Sequence, residues 1–374
     1  MSVSVSPVTG KKDLERFLAV PGRIYADDPC YVHPLLSQQR EFLDPARNPF
    51  HAHATTRLWI ARRDGEVVGR IGACVDSYHN DHHGELTGFF GFYECDDDSE
   101  ASAALLRTAR DWLAGQDMET MRGPLSFTTN HDGPGIQVAG ERTSPVTGMA
   151  YNPAYYENHL DAFGLVKCKD LRAWRVRADD MQIPDRVTRS IDVIKKHGDI
   201  KIRPIDMDRF DEEVEMIRRI YNDSWSGNWG FIPMDPEEFR FSAKEMKRMV
   251  NKHFIPIAEF KGKPVGFCMT VPDFNIALKP CKGRLFPFGF LKFLANRKKI
   301  KYARTLLLGV LPEARHRGLD VLLVFYTFKA GFKGGITSGE CSWILEDNEP
   351  MNKILSGMGG DKYKTYRVYD LPLK

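Results

Sequence analysis

The stretch of sequence that decides the fold is LLLGVLPEARHRGLDVLL, residues 306–323. Its first apolar run predicts a buried strand, and its second apolar run predicts a helix. Between them lies a short loop that contains Arg315, Arg317 and Gly318. Free backbone N–H groups and the positive end of the dipole make a helix N-terminus an anion site, and glycine lets phosphate oxygens come close. The stretch therefore predicts either a phosphate-binding strand–loop–helix unit or an ordinary connection with solvated arginines.

Length, charge and cysteine content restrict the class of protein. The 374 residues exceed the ~100–200 residues of a typical domain, so two domains are expected. The 53 Lys and Arg against 50 Asp and Glu give no reason to expect nucleic acid as a partner. The seven scattered cysteines include no CxxC pair, which indicates reduced thiols and no zinc site. Because we find neither a signal-peptide core nor an apolar run of ~18 residues, we expect a cytoplasmic protein.

The second half of the chain repeats the order of elements in the first half. In each half, the pattern predicts a hairpin, a strand, a helix, a strand, a short helix and a final strand. In the first half these are residues 57–76, 86–95, 99–114, 118–127, 151–165 and 171–176. In the second half they are residues 255–271, 305–310, 321–331, 339–345, 349–358 and 363–369. The repeat predicts two copies of one α/β module, residues 1–180 and 181–374, with an insertion at 274–304.

The loop after residue 310 resembles the acyl-CoA-binding motif of the GNAT family of N-acyltransferases. That motif reads Arg or Gln, two residues, Gly, one residue, then Gly or Ala. Arg315 and Gly318 match it, whereas Asp320 departs from it and is expected to cap the helix. The closing stretch also resembles the end of a GNAT domain, with Asn348 opening a short helix before a Tyr-rich strand. Leu355 stands seven residues after this Asn, where the family usually has its catalytic tyrosine.

The whole chain resembles the tandem GNAT-type proteins of Gram-negative bacteria, which include acyltransferases similar to bacterial ceramide synthase. The resemblance implies two GNAT-like modules, each with a mixed, mostly antiparallel sheet flanked by helices. It implies an N-acyltransferase that moves an acyl group from acyl-CoA, or from an acyl carrier protein, to an amine such as a sphingoid-like long-chain amine. No metal is implied. The cofactor-binding residues that it implies are Leu308, Gly309, Val310, Arg315, His316, Arg317, Gly318, Leu319, Asp320 and Asn348.

The first module carries an acidic run where the phosphate loop of a GNAT module would lie. The sequence there is ECDDDSE, residues 94–100, and carboxylates at that density would repel a pyrophosphate. We therefore predict that the first module does not bind CoA. It is expected to act as a scaffold or to recognise substrate through residues such as Asn130 and Tyr155.

Amide formation from a thioester requires a general base for the amine. Glu340 lies on the predicted strand 339–345 and Glu346 follows its end. The two residues are equal candidates for this general base. Tyr363 and Tyr366 are candidates to replace the usual general acid; the alternative is that the thiolate leaves without direct protonation. Cys341 is expected to be an inert strand thiol. The adjacent His82 and His83 are expected in a solvated, extended loop that holds no metal.

Two further segments indicate an amphiphilic substrate. The connection of residues 221–239 is rich in Trp, Asn and Gly, and an acceptor pocket is expected there. Its candidate residues are Asn222, Trp225, Asn228, Trp229 and Phe231. Residues 279–304 contain nine Lys and Arg and no Asp or Glu, interleaved with Phe and Leu. This composition predicts either peripheral contact with an anionic membrane or a local aromatic core with a basic rim. A non-catalytic acyl-CoA or lipid-binding protein is the alternative to an enzyme.

Overall fold

A computed structural model describes residues 2–131, 133–181, 198–247, 250–315 and 317–374. His316 and most of the segment around the predicted module boundary at residue 180 lie outside the described residues. The chain forms two compact units. The first comprises Met1–Leu171, Leu278–Ala295 and Lys364–Lys374, and the second comprises Arg172–Ala277 and Asn296–Tyr363.

The first unit contains a mixed sheet with helices packed against it. Its strands are β1 (Val3–Pro7), β2 (Ala54–Arg63), β3 (Glu66–Asp76), β4 (Thr87–Cys95), β5 (Thr120–Gly123) and β6 (Ile136–Gly140), with parts of β7 (Val166–Arg177) and β13 (Asp361–Pro372). Its helices are α1 (Gly10–Ile24), α2 (Leu36–Phe42), α3 (Ser77–His83), α4 (Ser99–Ala114) and α5 (Tyr156–Phe163). Pairing follows the order β1-β2-β3-β4-β5-β13. The β4–β5 pair is parallel and the other pairs in this order are antiparallel.

The second unit repeats this arrangement. Its strands are β8 (Ile200–Pro204), β9 (Pro256–Phe260), β10 (Lys263–Pro272), β11 (Tyr302–Val310) and β12 (Ser338–Leu345). The second half of the chain contains the helices α6 (Phe210–Trp225), α7 (Pro236–Lys247), α8 (Asn275–Leu278), α9 (Gly289–Arg297), α10 (Leu319–Lys333) and α11 (Glu349–Gly357). Most of α9 belongs to the first unit. The β11–β12 pair is parallel, and β8 to β11 pair in antiparallel fashion. The predicted fold class, mixed and mostly antiparallel sheets flanked by helices, is confirmed.

Local sequence explains where several elements begin and end. The predicted β2–β3 hairpin turns at Asp64 and Gly65, with φ values of 52° and 88°. The strand predicted over residues 118–127 is shorter, because Pro124 after β5 has no N–H to donate. The prediction of an extended loop at His82 and His83 is wrong, since both lie in α3. Asp76 caps this helix by accepting a hydrogen bond from the Tyr78 amide at 3.0 Å.

Helix α4 begins at a capped and ion-paired aspartate. The Asp98 carboxylate accepts a hydrogen bond from the Ala101 amide at 3.1 Å and pairs with Arg63 at 2.7 and 2.8 Å. The hydrogen bonds from Arg63 hold the pKa of Asp98 below its usual range. This residue therefore stabilises the helix start chiefly when it is ionised.

We expect Asp98→Ala to lower the free energy of unfolding by about 1 kcal/mol, because the N-cap of α4 is lost. Asp98→Asn keeps a capping oxygen and should cost less. Because the folded-state pKa is depressed, this stabilisation is present at neutral pH and is lost as the pH falls below about 4. Urea unfolding of the wild type and both variants at neutral and acidic pH checks this. A difference between wild type and Asp98→Ala that grows on acidification would contradict it.

Candidate active site

The unpaired ends of β11 and β12 define a candidate cleft in the second unit. The parallel ladder joins Tyr302–Thr305 to Ser338–Cys341 and ends there, although β11 continues to Val310 and β12 to Leu345. At the same point β11 gains one residue relative to β10, since Thr305 faces Thr270 and Leu307 faces Met269. A bulge of this kind bends a strand and ends its pairing. Half-buried apolar side chains border the opening, namely Leu306, Leu307, Leu308, Trp343 and Ile344.

The N-terminus of α10 follows directly after the β11 end of this cleft. Gly318 stands at the N-cap position with φ 71°, and no described side chain caps the helix. The expectation that Asp320 is the cap is wrong, because this residue lies inside the first turn. Free amides and an uncapped left-handed glycine leave the helix start open to an anion. Leu319, the first helical residue, is buried against the sheet and fixes the orientation of this end.

The two arginines of the loop contact protein groups. Arg315 donates a 2.7 Å hydrogen bond to the Ser224 carbonyl at the C-terminal end of α6. The Arg317 guanidinium lies 4.4 Å from the centre of the Phe260 ring. A guanidinium has five N–H donors, so Arg315 retains donors for a further acceptor. Both side chains are exposed.

The edge of β11 meets the last turn of α6. The Trp225 indole N–H donates to the Leu308 carbonyl at 3.0 Å, and its ring lies 6.4 Å from that of Trp343. A Cβ atom on Gly309 would lie 2.6 Å from Ser224 Oγ, so glycine is required for this approach. The predicted residues Leu308, Gly309 and Val310 therefore border the cleft, together with Trp225.

A buried polar network lies at the paired end of the two strands. The Glu340 carboxylate is only 1% exposed and accepts hydrogen bonds from the hydroxyls of Ser342 and Tyr363. Buried Arg304 donates to Ser342 Oγ at 2.9 Å and to its carbonyl at 3.2 Å. Burial and the nearby Glu340 charge raise the pKa of Tyr302. The network thus joins a carboxylate, a guanidinium and two phenols on neighbouring strands.

The other predicted catalytic residues have different surroundings. Glu346 is half-buried just after β12, and Tyr366 is fully buried in the first unit. Burial raises the pKa of Cys341 to about 12, so its thiol is protonated at neutral pH. Leu355 packs in the core, and Asn348 caps α11 by accepting from the Met351 amide at 3.3 Å.

Some of the predicted acceptor residues stabilise the fold, and others are half-buried. Asn222 braces its connection, accepting from the Met234 amide at 3.0 Å and donating to the Met234 carbonyl at 3.3 Å. Phe231 is buried in the core, whereas Asn228 and Trp229 are half-buried. In the first unit, Tyr155 donates to the Cys95 carbonyl at 2.9 Å, and the Asn130 amide donates to Thr128 at 3.3 Å.

The first unit fills its corresponding cleft with its own chain. The parallel β4–β5 ladder ends at Phe89 and Arg122, after which the Leu125 amide donates to the Phe90 carbonyl at 2.8 Å. A Cβ atom on Gly91 would lie 1.6 Å from the Leu125 oxygen. The buried chain between β5 and β6 therefore occupies the space beside β4.

Most side chains of the acidic run form ion pairs or hydrogen bonds with other side chains of the first unit. Besides the Asp98 ion pair, Asp96 pairs with Arg23 at 2.7 Å. Half-buried Glu94 accepts hydrogen bonds from the Tyr25 and Tyr156 hydroxyls at 2.8 and 2.7 Å, and removal from water raises the pKa of Glu94. The arginine partners thus offset part of the negative charge of this run, and the filled cleft is a separate feature that the acidic sequence does not indicate.

No group of three or more His, Cys, Asp or Glu in the described part of the chain is arranged to hold a metal ion. No described helix combines the length and the apolar character needed to cross a bilayer.

Comparison with solved structures identifies the class of fold. The tandem GNAT protein from the clavulanic acid biosynthesis pathway superposes with a TM-score of 0.60 at 13% identity, covering 100% of this chain and 99% of that one. A GCN5-related N-acetyltransferase from Sphaerobacter thermophilus gives 0.55 at 10% identity, covering 100% and 96%. The protein has the fold of tandem GNAT acyltransferases.

Comparison with curated proteins identifies the family, although no family model matches the chain. Protein YghO of Escherichia coli (strain K12) is 35% identical over 366 residues, 96% of this chain and 93% of the relative. The bacterial ceramide synthase of Caulobacter vibrioides is 35% identical over 379 residues, 99% and 98% of the two chains. The chain belongs to the family of tandem GNAT-type acyltransferases that includes these two relatives.

We expect Tyr363→Phe to lower the free energy of unfolding by about 1–3 kcal/mol, because it leaves buried Glu340 short of a donor. Tyr326→Phe in α10 is the matched control, since this residue is half-buried and its hydroxyl makes no hydrogen bond to described residues. Combining Tyr363→Phe with Glu340→Gln should cost less than the sum of the single changes. Urea unfolding measures the wild type, the control, the two single variants Tyr363→Phe and Glu340→Gln, and the double variant. Equal effects of Tyr363→Phe and the control would show that the hydrogen bond contributes nothing.

Proposed function

We propose that the protein is an N-acyltransferase whose second unit binds acyl-CoA, or an acyl carrier protein thioester, and transfers the acyl group to an amine. The observation that carries this proposal is the apolar cleft between β11 and β12, followed directly by the uncapped N-terminus of α10. The cleft suits the thioester and its arm, and the helix start suits the phosphates. GNAT-fold neighbours that cover the whole chain support it.

The donor site is assigned to the residues around this helix start. Gly318 and the amides that follow it offer the anion site, and Arg315 offers charge-assisted hydrogen bonds once it turns its remaining donors outward. Asp320 faces the same helix end and weakens the positive potential there. Proposed ligands of the donor are Leu308, Gly309, Val310, Arg315, His316, Arg317, Gly318, Leu319, Asp320 and Asn348.

The reaction needs one proton to be removed and one leaving group to depart. The neutral amine attacks the thioester carbonyl, the C–N bond forms, and collapse of the intermediate breaks the C–S bond. The half-buried Glu346, just after β12, is the proposed acceptor of the amine proton. The Glu340 carboxylate accepts hydrogen bonds from Ser342 and Tyr363. We propose Tyr363 as the proton donor to the thiolate, and solvent then carries the proton held by Glu346 back to the Tyr363 phenolate.

We propose a long-chain, sphingoid-like amine as the acceptor. The name of the Caulobacter relative and its 35% identity over nearly the whole chain support this substrate class. Trp225, Trp229 and Asn228 offer an aromatic and amide-lined surface for such an amphiphile. Peripheral contact with an anionic membrane, through the insertion at 274–304, would bring the enzyme to its substrate.

A second candidate function is non-catalytic binding of acyl-CoA or lipid. The buried Leu355 favours it, because the family's usual tyrosine is missing at that position. Release of thiol distinguishes the two functions, since only an enzyme frees CoA in the presence of an amine.

We expect one acyl-CoA site per chain, and Arg315→Ala with Gly318→Val should weaken binding by about 2 kcal/mol, a factor of about 30. Arg219→Ala with Gly335→Val is the matched control, because Arg219 is exposed and Gly335 also has a left-handed φ, 87°. Isothermal titration calorimetry measures both quantities. An unchanged affinity in the folded double variant, or a stoichiometry near two, would overturn the donor site.

We expect thiol release from acyl-CoA with long-chain amines, and a preference for long-chain over acetyl substrates. Each buried methylene contributes about 0.8 kcal/mol to the binding free energy, and an acetyl group has no methylene to bury. A thiol reagent records the initial rates over a panel of donors and amines. Binding without release of thiol for every amine tested would leave only the non-catalytic function, and equal rates with acetyl-CoA and a water-soluble amine would exclude the lipid substrate.

A further inference from the structure

Exposed large apolar side chains are concentrated in one short segment of the first unit. Among the described residues there are eight such side chains, and five lie between residues 286 and 294. We call these five the apolar tip: Phe286, Phe288, Phe290, Leu291 and Leu294. Phe286 is 88% exposed and Phe288 is 70% exposed. Single exposed apolar residues are ordinary, but a cluster of five in nine residues marks an interaction surface.

The charges within the segment that carries the apolar tip have one sign. The part of the first unit from Leu278 to Ala295 carries four Lys and Arg and no Asp or Glu. Lys282, Arg284 and Lys292 are exposed. Basic side chains that flank exposed Phe and Leu complement a surface with anionic headgroups above acyl chains.

The apolar tip is held on the first unit by a preformed turn. The Leu36 amide donates to the Gly283 carbonyl at 3.0 Å, and Lys279 Nζ donates to Ser144 Oγ at 2.9 Å. Gly283 has φ 75°, and a Cβ atom there would lie 2.9 Å from the Pro34 oxygen. The segment is therefore fixed against residues of the first unit before any partner arrives, which lowers the entropic cost of binding.

We propose that the first unit carries the membrane-docking surface of the protein, with an anionic lipid bilayer as its partner. Phe286 and Phe288 enter the acyl-chain boundary, while Lys282, Arg284 and Lys292 meet the headgroups. This inference rests on the proposed function only in that a membrane-borne amine explains why docking is useful. Membrane docking is thus the proposed function of the first unit, whose own cleft is filled.

Co-sedimentation of the full chain with vesicles tests this surface without substrate or acyl-CoA. We expect binding to vesicles of phosphatidylglycerol and phosphatidylcholine, weakened by salt, and much less binding to phosphatidylcholine alone. Phe286→Ser with Phe288→Ser should weaken partitioning by about tenfold or more, since two inserted rings are lost. Replacing Lys282, Arg284 and Lys292 by Gln should remove the preference for the anionic vesicles.

Two matched controls separate the surface from general effects of exposed residues. Leu86→Ser with Val166→Ser removes exposed apolar side chains elsewhere in the first unit, and Lys11, Lys12 and Arg107 replaced by Gln removes equal charge. Both controls should bind vesicles as the wild type does. Three outcomes would each overturn the proposal. The first is an equal loss of binding in the controls, and the second is no binding of the wild type to either vesicle. The third is a concentration-dependent dimer that disappears in the Phe variants, with no vesicle binding. Because no turnover is measured, failure of docking and failure of acyl transfer are distinguishable.

Discussion

The early end of the parallel β11–β12 ladder is the constraint on which the second unit depends. Four residue pairs hold the strands together, and the extra residue Leu306 then bends β11 away. On the paired side, Glu340 and Arg304 are buried next to each other and Ser342 joins them. On the other side, apolar strand edges remain half-buried and lead to the start of α10. One irregularity thus separates a closed polar network from an open apolar cleft.

The same topology leads to a different outcome in the first unit. The β4–β5 ladder also ends early, and Phe92 marks a register shift with φ 48°. Here the chain after β5 turns into the opening, and Leu125 hydrogen-bonds to Phe90. The helix start that follows β4 is capped by Asp98, in contrast to the open start at Gly318. The two units therefore share strand order and differ at the two features that a phosphorylated cofactor needs.

Several features are readable from the sequence because they depend on local chemistry. The Asp64–Gly65 turn and the cap at Asn348 each follow from the conformational or hydrogen-bonding preference of one or two residues. The start of α10 at Leu319 does not match the predicted cap at Asp320. The helical state of His82 and His83 was not predicted, although the Asp76 cap of this helix is local chemistry of the same kind.

Features that depend on strand register or on distant segments were not readable. Sequence alternation places Glu340 and Ser342 on one face, but only the parallel register brings Arg304 beside them. The hydrogen bond from Arg315 to the Ser224 carbonyl joins residues 91 positions apart. The assignment of residues 278–295 to the first unit likewise depends on contacts with distant residues such as Leu36 and Ser144.

Hydrogen exchange with and without acyl-CoA tests the central claim, that the second unit alone holds the donor at its strand–loop–helix turn. Amides of β11, the following loop and the first turn of α10, within residues 302–323, should exchange more slowly when acyl-CoA is bound, because the ligand covers their N–H groups. Amides of β4 and the start of α4, within residues 87–102, should be unchanged. Protection of residues 87–102, or no protection of residues 302–323 at saturating acyl-CoA, would contradict the account.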